Sequence, residues 1–312
     1  MRVALLAGGT GGAKLARGIA LSGEHELAVI ANTADDVEVL GVHVSPDPDL
    51  ITYWLSGEID TERGWGIAGD GFTVFERLVE LGAPGWFGLG DRDLATCLRR
   101  RELLEGGARL TEAQAEITGR LDVGEAQVLP MCDEPVRTRV RTADGPVGLQ
   151  EFLVRQRAEP AVEGVELEGI EAARPTAEVR AAVAGAEAIV IGPSNPVISI
   201  GPILAVPGMR ELLAGADAPV VAVSPFVAGR AIKGPTEKFM AAAGKPVSAA
   251  GVAELFGELL DAIVVDAGDP DPPPRGLPSL AIPTLMDSDE ARREVAAQVL
   301  AFAREPAERA TA

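Results

Sequence analysis

A short aliphatic run that stops at a cluster of glycines limits this chain more than any other feature. Arg2-Val-Ala-Leu-Leu-Ala7 is followed at once by Gly8-Gly-Thr-Gly-Gly12. A strand that is apolar at successive positions, rather than alternately, must be covered on both faces, and this is the habit of parallel sheets flanked by helices. The glycines break the chain, and good helix formers at helical spacing predict a helix over 13–21. A second strand is expected over 27–31, ending at Asn32-Thr-Ala-Asp-Asp36. The opening is therefore β-α-β.

The same grammar returns downstream. Ala186 to Ile191 reads as a strand, Gly192-Pro-Ser-Asn-Pro196 as a loop, 208–214 as a helix, and 219–223 and 262–265 as further strands. Strands that alternate with helices predict an α/β, Rossmann-like fold with a mostly parallel sheet. We expect one domain over 1–312, interrupted at about 66–170 by an inserted cap. Helices are expected there over 72–81 and 89–105, followed by short β-like pieces rich in Val, Thr and Arg. Asp269-Pro-Asp-Pro-Pro-Pro-Arg275 reads as a surface loop and 289–304 as a terminal helix.

Charge and composition exclude whole classes of function. With 312 residues and 47% hydrophobic content the chain can bury a sizeable core. Its formal net charge of −19 argues against nucleic acid, because such a surface repels phosphates. An anionic ligand must then be held by local cations, and the lysines are few enough to be informative: Lys14 follows the glycines, while Lys233, Lys238 and Lys245 fall together. No apolar run approaches the roughly 20 residues of a membrane span. With Cys97 and Cys132 as the only cysteines and no leader-like start, a cytoplasmic location is expected.

Several segments have the composition of ligand contacts. The loop Gly9-Thr10-Gly11-Gly12 with Lys14 sits at a strand-to-helix junction, where free N–H groups and the helix dipole favour a phosphate. It fits neither the dinucleotide fingerprint nor the Walker loop, and an unliganded tight turn is the alternative. Asp35, Asp36, Asp47 and Asp49 cluster beyond the second strand and suit Mg²⁺, which takes one or two carboxylates plus substrate phosphate oxygens; helix capping and turns are the alternative. Arg63-Gly-Trp-Gly66 and Gly88-Leu-Gly-Asp-Arg-Asp93 mix glycine, aromatic and charged residues. Asp91 and Arg92 there read either as ligand contacts or as a surface ion-pair and capping group. Ser194, Asn195 and Pro196 follow a buried strand on the ligand side of the sheet, and Ser224, Arg230 and Lys233 form a third loop that brings two cations to the same edge. Neither His25 nor His43 pairs with a cysteine as a metal site, and no nucleophile elbow is present, so covalent catalysis is disfavoured.

Taken in order, Leu6-Ala-Gly-Gly-Thr-Gly-Gly-Ala-Lys14, Asn32-Thr-Ala-Asp-Asp36, Ser45-Pro-Asp-Pro-Asp49, Arg63-Gly-Trp-Gly66, Gly88-Leu-Gly-Asp-Arg-Asp-Leu-Ala-Thr96, Gly192-Pro-Ser-Asn-Pro-Val-Ile-Ser-Ile-Gly201 and Ser224-Pro-Phe resemble the 2-phospho-L-lactate transferases of coenzyme F420 biosynthesis. The likeness runs from residue 3 to about residue 287. It implies transfer of a phospholactyl or phosphoenolpyruvyl group from a guanosine diphosphate-linked acid to the terminal ribityl hydroxyl of the deazaflavin Fo, with release of GMP. It further implies Mg²⁺ held by Asp35 with Asp49 or Asp36, catalytic roles for Asp35 and Asp36, and substrate contacts from the glycine loop, Asn32 and the Ser194-Asn195 loop. A homodimer is common among such enzymes. One departure is Ala34, where many relatives carry glycine. A related family of regulators that bind a UDP-sugar shares the glycine start and the Asp-Asp pair, but there the pair leads into a Gly-Gly-Ser-Ser-Gly run instead of Val37-Glu-Val-Leu-Gly41.

Overall fold

The computed structural model describes residues 1–310. Its centre is a seven-stranded sheet of β1 (Arg2–Ala7), β2 (Glu26–Ala31), β3 (Gln127–Pro130), β4 (Ala188–Ile191), β5 (Val220–Val223), β6 (Ala262–Asp266) and β7 (Ser279–Ile282). The spatial order is β7-β6-β5-β4-β1-β2-β3, and every pairing is parallel. All residues of β4, β5 and β6 are buried, as the unbroken aliphatic runs require. Along β1 the two faces separate with a period of two. Val3, Leu5 and Ala7 pack with Leu15, Ile19 and Trp54, whereas Ala4 and Leu6 pack with Ile203, Met209 and Phe256.

Helix α1 (Gly9–Ala20) lies against α2 (Pro46–Ser56) and the terminal helix Asp289–Ala310. Its first turn is formed by the glycines themselves, so the run that was expected to break the chain begins the helix. The reason is steric. A methyl on Gly11 would land on the carbonyl of Pro193, and one on Gly12 would lie 2.6 Å from the Ser194 hydroxyl and 2.7 Å from the Ala7 methyl. The glycines let the start of α1 press against the loop that follows β4.

The stretch around 66–170 contains α3 (Thr73–Glu80), α4 (Asp91–Glu105), α5 (Leu110–Thr118) and a small antiparallel sheet of Arg137–Thr142 between Gly145–Gly148 and Gly164–Glu168. In the small sheet Thr138 and Val140 are buried, while Arg139 and Arg141 pair across strands with Glu168 and Glu166, which accounts for the Val-Thr-Arg composition. This stretch is more than a cap, because it also supplies β3, which extends the main sheet beside β2. The strand is only four residues long and its first residue is exposed, so it leaves little periodicity to read. No described helix is long and apolar enough to cross a membrane.

Candidate functional site

Strand order reverses between β1 and β4, since connections from β1 proceed toward β2 and those from β4 toward β5. In open α/β sheets the loops diverge at that point and leave a crevice at the carboxyl ends of the strands. Here it is a cavity of about 520 Å³. Gly8 to Gly11 after β1 and Pro193 to Asn195 after β4 form its floor. They are fastened together where the Gly8 N–H donates to the Ser194 hydroxyl at 3.2 Å.

Acidic groups enter from the far side of β2. Asn32, fully buried beyond the end of β2, donates from Nδ2 to Asp35 Oδ1 and to Asp47 Oδ2, both at 2.9 Å. Asp47, in the first turn of α2, also accepts the Gly9 N–H at 2.6 Å. One neutral amide thus bridges two carboxylates that both face the cavity. Burial pushes Asp35 well above the usual carboxylate range, and the neighbouring Asp47 adds to this against the Asn32 hydrogen bond. Burial likewise raises Asp47 to about 6, opposed by its hydrogen bonds from Asn32 and Gly9. Two buried carboxylates held side by side, both raised by burial, are relieved by a divalent cation, so the donor set suits a hard ion such as Mg²⁺.

Cations face the pair across the same space. Lys14 has its Nζ 5.8 Å from the centroid of the Trp54 ring, and Lys233 lies within 3.4 Å of the Gly64 carbonyl. Burial lowers the pKa of both, and for Lys14 the charges of Arg292 and Lys233 lower it further. Two lysines held short of full solvation, one of them in the second turn of α1, have the chemistry to receive a polyanion.

The structure divides the other sequence-derived residues in two. Gly9, Thr10, Gly11, Ser194, Asn195 and Ser224 line the cavity. Asn195 uses its side-chain carbonyl to cap the π-helical turn Pro196–Ile200, accepting from Val197 and Ile198, and its amide donates to Thr236. Pro196 is the buried first residue of that turn, and Gly12 is buried as packing between the loops. The remaining residues are engaged elsewhere. Asp36 accepts from Ser45 at 2.7 Å and pairs with His43 at 2.8 Å, which ties it to the hairpin Val37–Val39/Val42–Val44. Asp49 is paired with the fully buried Arg100. The carboxylate brought beside Asp35 is therefore Asp47, two residues before Asp49. Asp91 receives the Thr73 and Val74 N–H groups at the start of α3, Arg92 pairs with Glu58 at the surface, and Arg230 is exposed on a two-residue strand.

A second cavity of about 370 Å³ adjoins the first. Its walls are apolar, built from Val44, Leu50, Phe87, Leu89 and Val154 with Trp65 at the edge. The floor carries Tyr53, whose hydroxyl donates to Asp93 at 2.8 Å. Burial, with the nearby Asp49 charge, raises Asp93 to about 6. Ligand atoms of Asp49, Asp93 and Cys97 lie within 4.8 Å of one another, but the Arg100 guanidinium already neutralises that group. Pro46, Asp47, Gln150 and Leu153 line both cavities, so the chambers meet at Asp47, while Asp35 lines the first alone. Gln150, Leu153 and Tyr53 carry no motif that singles them out in the sequence; their importance follows from where the fold puts them.

The fold and site are those of a doubly wound α/β protein with a glycine loop and buried carboxylates at its switch point. Residues 3–300 match the family of 2-phospho-L-lactate transferase CofD, and the chain belongs to that family. It is 41% identical to the 2-phospho-L-lactate transferase of Methanosarcina mazei, over 85% of this chain and 87% of that one. It is 40% identical to the 2-phospho-L-lactate transferase of Methanococcoides burtonii, over 96% and 98% of the two chains. It is equally 40% identical to the phosphoenolpyruvate transferase of Kitasatospora aureofaciens, over 97% and 98%. A solved structure of a UPF0052 family protein from Bacillus halodurans shares the fold with a TM-score of 0.63 at 19% identity, covering 96% of this chain and 98% of that one.

Proposed function

We propose that this transferase moves a phospholactyl or phosphoenolpyruvyl group from a guanosine diphosphate-linked donor to the terminal ribityl hydroxyl of Fo, releasing GMP, in coenzyme F420 biosynthesis. One observation carries the reading. A charged chamber suited to a diphosphate and an apolar chamber suited to a flat tricyclic ring share a boundary, and Asp47 of the Asp35/Asp47 pair stands at it. A donor in the first and an acceptor in the second would meet where the reaction must take place.

In this reading the glycine loop and the α1 N-terminus hold the donor diphosphate, with Lys14 and Lys233 neutralising its oxygens. Asp35 and Asp47 would hold Mg²⁺, which when bound offsets charge on the diphosphate and on the leaving phosphate. The apolar walls around Trp65 and Phe87 stack and shield the acceptor ring, leaving its ribityl chain to reach toward the neck. Bringing both partners to one boundary supplies much of the catalysis, because oriented encounter replaces a bimolecular search. The reading pairs Asp35 with Asp47 where Asp49 or Asp36 was expected, and the engagement of Asp49 with Arg100 and of Asp36 with His43 supports that choice.

The test is incubation of the protein with Fo, Mg²⁺ and either the lactyl or the enolpyruvyl guanosine donor, with products identified by mass. Formation of the Fo phosphodiester and GMP is expected. Tight calorimetric binding of a UDP-sugar without binding of Fo would overturn the reading.

A further inference from the structure

Gln150 stands at the boundary of the two chambers. Among the residues shared by both linings, Pro46 and Leu153 are apolar and Asp47 is held by Gly9 and Asn32. Gln150 is the shared polar side chain with hydrogen-bonding capacity to spare. Its Nε2 reaches the Asp35 carbonyl only at 3.5 Å, the limit of a hydrogen bond, and its Oε1 has no donor among the described residues.

The segment that carries Gln150 is held firmly. Gln150 precedes a π-helical turn, Glu151–Arg155, a local geometry that recurs at functional sites. Two residues on, Phe152 is fully buried, edge-on to Phe239 with centroids 5.9 Å apart. Beyond the turn Arg157 and Ala158 both adopt left-handed backbone conformations, with φ of 52° and 53°. Non-glycine residues in this region are strained and persist only where their surroundings hold them. Lys238 ties down the far side of this segment, donating its ammonium to the Ala158 carbonyl and, at 3.0 Å, to that of Glu159.

We infer that Gln150 orients the attacking hydroxyl of the acceptor, an inference that rests on the proposed transfer reaction. Its Oε1 accepts the hydroxyl hydrogen bond and so turns an oxygen lone pair toward the phosphorus that bears the three-carbon acid. The hydroxyl oxygen forms the new P–O bond as the phosphoanhydride P–O bond breaks. The electron pair of the broken bond stays on the departing GMP, which also ends with the hydroxyl proton. Gln150 is unchanged by the step. An uncharged acceptor suits this place, because a third carboxylate beside Asp35 and Asp47 would add to the repulsion already present there.

The experiment compares wild type, Gln150→Met and Gln150→Ala with Fo, Mg²⁺ and each of the lactyl and enolpyruvyl guanosine donors, the variants being read with the donor that wild type turns over. Methionine keeps the volume and loses the acceptor oxygen. Both variants should lower kcat by about 10- to 100-fold, the cost of a misplaced nucleophile. The donor KM should stay within about twofold of wild type, since ground-state donor binding is untouched, and hydrolysis of the donor should rise relative to transfer. Thermal midpoints should match wild type. Wild-type kcat in Gln150→Met, alone or with Gln150→Ala, would show a packing role and overturn the inference while leaving the transfer reaction intact. A wild-type protein that makes no Fo phosphodiester would overturn the transferase reading and this inference with it.

Discussion

The two chambers that meet at Asp47 are built on different principles. The larger is cut into the rigid centre of the molecule, where β1 and β4 part and the loops after them are packed so closely that glycine alone fits. The smaller is assembled from α2 and the peripheral stretch, where α3 has no buried residue and Trp65, Val74 and Val79 are exposed. Phosphate chemistry demands fixed dipoles and charges, which a parallel sheet edge and a helix N-terminus supply before the ligand arrives. An apolar slot needs only area and shape, so it can be made from segments that adjust. The contrast predicts that changes in the first chamber alter chemistry or folding, whereas changes in the second alter acceptor affinity.

The severest test of that division is Asp35→Asn. It keeps the shape and removes a charge from the buried pair, so turnover should fall by about two to four orders of magnitude. Because burial and Asp47 already oppose ionisation at Asp35, thermal stability should be equal to or above that of wild type. Rates measured against Mg²⁺ concentration decide the matter. Wild-type turnover of the variant at limiting Mg²⁺ would assign the pair a structural role.

Gly11→Ala tests the packing of the loops. Its methyl would meet the Pro193 carbonyl, a backbone atom that cannot swing away, and overpacking of this kind costs about 1–3 kcal/mol. A lowered denaturation midpoint together with weaker guanine-nucleotide binding is expected. An unchanged midpoint would mean that the β1 and β4 loops separate readily, contrary to a rigid first chamber.

Proton linkage sharpens the comparison further. Asp47 is raised from its ordinary value to about 6, so its protonation favours the metal-free folded state. That contribution is fully present below the unfolded carboxylate pKa and is lost as pH rises through about 6. A cation must displace the proton, and apparent Mg²⁺ affinity should therefore fall by at least about tenfold per pH unit below pH 6, with the raised Asp35 adding to the dependence. Titrations of Mg²⁺ between pH 5 and 8 check this, and Asp47→Asn should make the profile shallower, leaving the dependence due to Asp35. An affinity independent of pH in wild type would remove Asp47 from the metal site.

The smallest effect is expected in the second chamber. Trp65 is 46% exposed, lies edge-on to Phe72 and lines the apolar wall. Trp65→Ala should raise the KM for Fo by about 5- to 10-fold, the worth of roughly 1 kcal/mol of aromatic contact, with donor KM and stability unchanged. A comparable rise in donor KM would show that the chambers are not separable.

Much of this protein was settled by local sequence. The aliphatic runs of β1, β4, β5 and β6 dictate buried parallel strands, the glycines after β1 mark the place where backbone must approach backbone, and Ser45-Pro-Asp-Pro-Asp49 starts a helix with acidic residues in its first turn. Those properties depend on periodicity and on intrinsic backbone preference, which act over a few residues. Tertiary structure alone decided how the aspartates are divided. Asp35 and Asp36 are neighbours in the chain, yet one faces the cavity and the other the His43 hairpin. Asp47 and Asp49, two apart on a helix, point to different surroundings, and only one of those contains Arg100, which arrives from α4. Gln150 reaches the neck from a segment more than a hundred residues distant from Asp35. Side-chain roles of this kind depend on which partners the fold delivers from far along the chain, and no spacing within the segment itself records them.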